Sequence, residues 1–170
     1  MRDLNYLREV SWKNDIFPDW RNNEAHEIGW QETARAKGWP NWEEWRLYLA
    51  DKLLSLPQRD WKLYKIDNPI EVIPQFLVGP FMAWQKNVPE NRVNKITFEE
   101  FLQLDLERWK THSKIRAILN NFPATTQLVG LIEPESQKII CIEGTHRSMS
   151  VTVAKHEKLT IPENTNILLA

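Results

Sequence analysis

The chain has 170 residues, a formal net charge of −1 and a single cysteine. That length suits one domain or a core domain with an elaboration, and the near-neutral balance lacks the strongly basic signature of a nucleic-acid-binding domain. One cysteine excludes an internal disulfide framework and fits a reducing cytoplasm.

The N-terminal decapeptide lacks the apolar core of a secretion signal, and no stretch approaches membrane-spanning length. Residues 1–22 carry no long period. Trp12, Phe17-Pro18 and Trp20 predict an extended arm or one short helical turn. Asn23 is the expected cap of a helix running to about Lys37, with Gly38 at its end and Pro40 just beyond.

Asn41 opens a second helix, Trp42 to Leu56. Trp42, Trp45, Leu49, Leu53 and Leu56 share one face, and Glu43, Glu44 and Asp51 point away. Nine tryptophans are unusual for this length, and six of them fall by position 45: Trp12, Trp20, Trp30, Trp39, Trp42 and Trp45. Their mixed spacing favours core packing, although a stacking surface for a ligand or a protein partner is the alternative.

The period then changes. Trp61 to Ile66 alternates as a strand does, and with Ile70 to Pro74, which follows Asn68-Pro69, it reads as two strands or as one strand broken by the prolines. Phe76 to Phe81 continues apolar, so the sheet is expected to begin here, and residues 82–96 read as a loop or one frayed turn. Thr97-Phe98-Glu99-Glu100 is a capping box, and its helix runs to Lys110 or resumes after Thr111-His112-Ser113 to reach Asn121. Gln127 to Glu133 and Lys138 to Glu143 form the predicted antiparallel hairpin. Leu159 to Pro162 and Thr165 to Leu169 read as a last strand or two.

Between Glu143 and the last strand lies the stretch with most chemistry. A β-branched run ends at Glu143, Gly144 supplies a bend, and a helix with Thr145 as expected N-cap buries Met149 and Val153. The first N–H groups of such a helix lack intrahelical acceptors and seat an anion well. Thr145, His146, Arg147 and Ser148 add side-chain donors, and Glu143 is a candidate base or Mg²⁺ ligand. Cys141 is expected to be buried in the preceding strand.

Gly144-Thr145-His146-Arg147-Ser148, set between strand and helix, resembles the signature loop of the ParB/sulfiredoxin-like fold. Sulfiredoxins carry Gly-Cys-His-Arg at this place. The flanking order is also similar: an Ile73-Pro74 opening strand, a helix led by Lys114, a strand pair, the loop, a helix and a closing Ile161-Pro162 segment. The resemblance implies an α+β domain with a small mixed sheet and flanking helices over residues 61–170, preceded by a helical Trp-rich elaboration over residues 1–60. It also implies an ATP-like nucleotide, with Mg²⁺, held by residues 144–148 and Lys114, for phosphoryl transfer or nucleotide hydrolysis. Thr145 stands where the sulfiredoxin nucleophile would be, which removes sulfiredoxin chemistry. Ala117 and Asn121 replace hydroxyl positions of the sulfiredoxin helix. Two other functions keep the fold: a ParB-like DNA-binding or nuclease protein, and a non-catalytic module that holds a protein partner through its Trp-rich half.

Overall fold

The computed structural model describes residues 3–170, apart from the Leu53 side chain, so the predicted place of Leu53 on the helix face lies outside the described residues. The protein is α+β. Its elements are β1 (Leu4–Val10), α1 (Phe17–Glu24), α2 (Ile28–Ala36), α3 (Trp42–Tyr48), β2 (Trp61–Ile66), α4 (Pro69–Val72), α5 (Met82–Gln85), α6 (Phe98–Leu104), α7 (Leu106–Thr111), α8 (Ser113–Asn120), β3 (Thr126–Ile132), β4 (Ile139–Glu143), α9 (Thr145–Glu157) and β5 (Thr165–Leu169). A five-stranded mixed sheet has the order β1-β2-β5-β3-β4. The chain divides into two compact units, Arg8–Lys62 in one, and the segment up to Leu7 with Leu63–Leu169 in the other.

The smaller unit is built on aromatic packing. Trp12, Trp20, Trp42, Trp45 and Trp61 are all buried there. The helix expected over 23–37 is two helices, α1 and α2, because the chain breaks between Glu24 and Ile28, around His26. Gly38 ends α2 in the left-handed region, φ +82°, as the sequence predicts. Asn41 caps α3 by accepting a hydrogen bond from the Glu44 N–H. The helix predicted to reach Leu56 stops as an α-helix at Tyr48 and continues as a wider π turn over Leu49–Leu53.

Arg46 is the polar centre of this unit. Its guanidinium is 6% exposed and donates Nε and Nη2 hydrogen bonds of 2.9 and 2.6 Å to Glu24 Oε2, which also accepts from Trp42 Nε1 at 3.0 Å. The rings of Trp20, Trp30 and Trp45 lie 5.2, 4.6 and 4.5 Å from the guanidinium carbon. A desolvated cation is tolerated here because one carboxylate neutralises it and three π faces surround it.

In the larger unit, β3 pairs antiparallel with β4 and parallel with β5. Ile70–Pro74, expected as strand, is helical: α4 is followed by a 3₁₀ turn over Ile73–Gln75. Asn68 in the left-handed region and Pro69 at the helix start turn the chain into a helix before an extended run can form. The Ile73-Pro74 opening strand of the family resemblance is therefore absent. Residues 82–96 hold the short α5 and a 3₁₀ turn at Glu90–Arg92 within otherwise irregular chain. Thr97 and Glu100 form the predicted capping box. The hairpin from β3 to β4 also forms where expected.

The core lies between one face of the sheet and helices α6 to α9. Leu128, Ile139, Cys141, Ile167 and Leu169 meet Phe98, Phe101, Trp109, Ile115, Met149 and Val153. Leu77 lies along the outer edge of β4, donating to the Ile139 carbonyl at 2.7 Å and accepting from the Cys141 N–H at 3.0 Å.

Removing one partner of the buried Arg46–Glu24 pair strands the other charge, which costs about 3 kcal/mol or more. Arg46→Ala is expected to lower the unfolding free energy by about that amount in urea denaturation followed by circular dichroism. The paired replacement Glu24→Gln with Arg46→Met is expected to recover much of the loss.

Candidate functional site

The bend between β4 and α9 depends on one residue. Gly144 has φ +91° and ψ +19°, in the left-handed region. The left-handed backbone favours glycine, and a Cβ placed on it would stand 2.3 Å from the terminal methyl Leu128 Cδ2, which would have to shift. Gly144, rather than Thr145, is the N-cap residue of α9, and no side chain caps the helix. The first amides of a 13-residue helix are thus left without an acceptor inside it.

The side chains at this start diverge in three directions. Thr145 and Ser148 turn inward and are buried. Ser148 Oγ lies 3.6 Å from Cys141 Sγ, which also donates to the Glu143 carbonyl at 3.4 Å. Burial of Cys141 pushes its thiol up to about 12, so it stays protonated. The two hydroxyls expected as phosphate donors thus serve the interior.

Arg147 folds back over the bend. Its Nη2 donates to both oxygens of Glu143, at 2.7 and 2.5 Å, and the two side chains are 21% and 14% exposed. This pair spans strand end to first helical turn and neutralises the two groups expected as phosphate ligand and base.

His146 takes the third direction. Its ring meets the Trp84 ring edge-to-face at 5.1 Å and lies 6.0 Å from the His112 ring. Burial first, then the positive fields of Lys114 and His112, push its imidazole down to about 4. It is therefore neutral at physiological pH, one nitrogen donating and the other accepting. Lys114, at the start of α8, is exposed. Arg116, on the same helix, is committed elsewhere, to a two-pronged pair with Glu157.

Sequence reasoning missed the partners of His146. Trp84 stacks on Trp109 at 5.1 Å with the planes 6° apart, and Trp109 in turn stacks on His112 at 5.5 Å. The Nδ1 of His112 is buried without a hydrogen-bond partner among the described residues. Trp84 and His112 fall in segments that read as loop or break, and no spacing in the sequence links them to His146.

The same end of the sheet holds two further unsatisfied groups. Thr126 and Thr165 stand opposite each other where β3 and β5 begin, both are 1% exposed, and neither hydroxyl has a partner among the described residues. The register of β3 with β4, Val129 opposite Glu143, places them toward the Gly144 end. No cluster of three or more His, Cys, Asp and Glu suited to a metal occurs among the described residues. No helix among them is long and apolar enough to cross a membrane.

No family profile, curated protein or solved structure matches this chain.

Two outcomes follow from this geometry. The folded protein binds fewer protons at His146 than the unfolded chain does between pH 6.5 and about 4. Stability contributed by this residue is present above pH 6.5 and is lost as pH falls through that window. Histidine NMR is expected to give an apparent pKa near 4, and His146→Gln to remove that part of the acid slope. Gly144→Ala is expected to cost about 2–4 kcal/mol in denaturant titration, from left-handed strain and the clash with Leu128.

Proposed function

We propose that this chain binds a nucleotide of the ATP type through its phosphates at the start of α9, in a domain of the ParB/sulfiredoxin-like kind. The carrying observation is the uncapped first turn of α9 after the Gly144 bend, with His146 and Lys114 beside it. Amides and a helix dipole favour an anion there, and the uncharged imidazole of His146 offers a directed N–H. Lys114 supplies a mobile positive charge. The order α8, β3, β4, loop, α9, β5 supports the family reading over the C-terminal part of the chain. A cytoplasmic setting accords with the single, buried, protonated thiol.

In the catalytic form of this proposal the reaction is phosphoryl transfer or nucleotide hydrolysis. Glu143, once released from Arg147, would lie beside the phosphate. Mg²⁺ is commonly held by one or two carboxylates together with phosphate oxygens, and Glu143 is the residue placed to share it. The ion would neutralise charge on the phosphates.

Titration calorimetry with ATP, ADP and CTP, each with and without Mg²⁺, tests the proposal. Binding is expected, weakened about tenfold in both His146→Ala and Lys114→Ala, the scale of one hydrogen bond to a charged group. Silence of folded wild-type protein toward every nucleotide overturns it. Binding to duplex DNA with a steep salt slope would replace it with the nucleic-acid reading.

A further inference from the structure

β1 is the outermost strand of the sheet, with β2 as its one neighbour. The Asp67 N–H donates to the Asp3 carbonyl at 2.8 Å, and the Tyr6 ring meets the Tyr64 ring at 5.9 Å, so β2 runs antiparallel to β1. That bond turns the backbone groups of the odd positions toward β2, and those of Leu4, Tyr6, Arg8 and Val10 toward the free edge. No residue of this strand is buried: Leu4 and Val10 at its ends are half-buried, and Tyr6 and Leu7 are 55% and 49% exposed. A row of open donors and acceptors, flanked by an exposed ring and exposed aliphatic groups, is a template for another strand.

We propose that this edge pairs with a second copy of the chain, antiparallel about a two-fold axis through Leu7, to form a closed dimer. In that register the strand is its own complement. Leu7 meets Leu7 of the second copy, Asn5 meets Glu9, Tyr6 meets Arg8 and Leu4 meets Val10. The Asn5 amide donates one hydrogen to Asp67 at 2.6 Å and keeps the other for the Glu9 carboxylate across the axis. The Arg8 guanidinium, tied at one edge to Asp15, has its face open to the Tyr6 ring. Charge selects this register. A slip of one residue mismatches the faces of the two strands. A slip of two sets Arg8 against Arg8 in one direction and Asp3 against Glu9 in the other, and like charges directly opposed are destabilising. Assembly also stops at two. The far border of the sheet, β4, is covered by Leu77 through two backbone hydrogen bonds, so joining β1 to β1 leaves no open edge among the described strands.

Sedimentation velocity tests this at concentrations up to about 0.5 mM, because one pair of short strands falls at the small, weak end of specific interfaces. Wild type is expected to pass from monomer to dimer across the series and to stop there. Tyr6→Pro removes an N–H from the free edge, twice by symmetry, and keeps the bonds to β2. It is expected to weaken the dimer at least about tenfold, with the far-ultraviolet circular dichroism of wild type. Placed cysteines read the register whether or not that variant folds, since the native Cys141 is buried. Opposed Cα atoms that flank the ladder bonds lie about 4.5 Å apart, within reach of a disulfide. With diamide as oxidant, Leu7→Cys is expected to cross-link to itself at least about tenfold faster than Asn5→Cys or Glu9→Cys does alone. Those two variants, mixed, are expected to join each other. Wild type that stays monomeric throughout overturns the inference, as do species larger than a dimer. A folded Tyr6→Pro that dimerises like wild type, or equal self-cross-linking at the three cysteine positions, overturns it too.

Discussion

A single left-handed residue governs the chemistry of the larger unit. Gly144 turns the chain from β4 into α9 within one peptide, against the side chain of Leu128. A bend this tight sends successive side chains to different destinations. Ser148 goes to the thiol of Cys141, Thr145 into the interior, His146 to the ring of Trp84, and Arg147 back to Glu143. Had the turn been looser, with a side chain capping the first amides, the helix would have satisfied itself and left no electrophilic end. The same constraint that leaves the amides without acceptors also draws the neighbouring carboxylate and guanidinium together.

Much of this architecture is legible in the residues because it rests on local chemistry. The capping box at Thr97, the Asn41 cap, the Gly38 stop and the hairpin from β3 to β4 each follow from residues within a few positions of one another. Ile70–Pro74 misleads because β-branched residues favour strand, whereas Asn68 and Pro69 start a helix before that preference acts. At the site, the identity of the loop is readable and the orientation of its side chains is not. Four donors in a row read as one donor set, but rotation of about 100° per residue around a helix sends them to different neighbours. His112 and Trp84 belong to the site only through tertiary packing, which no local spacing encodes.

The abundance of tryptophan in the smaller unit has a physical explanation that composition alone could not separate from a binding surface. Trp12, Trp20, Trp42 and Trp45 are buried, and three rings crowd around Arg46. Helices of 7 to 9 residues present few aliphatic positions, and large rings fill the space between such short elements. Trp42 contributes a second way, since its indole N–H helps hold Glu24 in place against Arg46. The ion pair and the rings are therefore one structure, in which the aromatic faces substitute for water around a buried charge.

The strip of chain at Leu77 has a bearing on solubility. A sheet with a bare flank invites strands from other molecules, and β4, being apolar and ending at the proposed site, would be a dangerous flank to leave open. Leu77 docks there through two backbone hydrogen bonds and Gly79 presses close to the Cys141 carbonyl, so that flank is shut by the protein's own backbone. The opposite flank belongs to β1, where Arg8 and Glu9 stand exposed in the row. One border is blocked by covering and the other is guarded by charge, two different defences against runaway strand addition in a single small sheet.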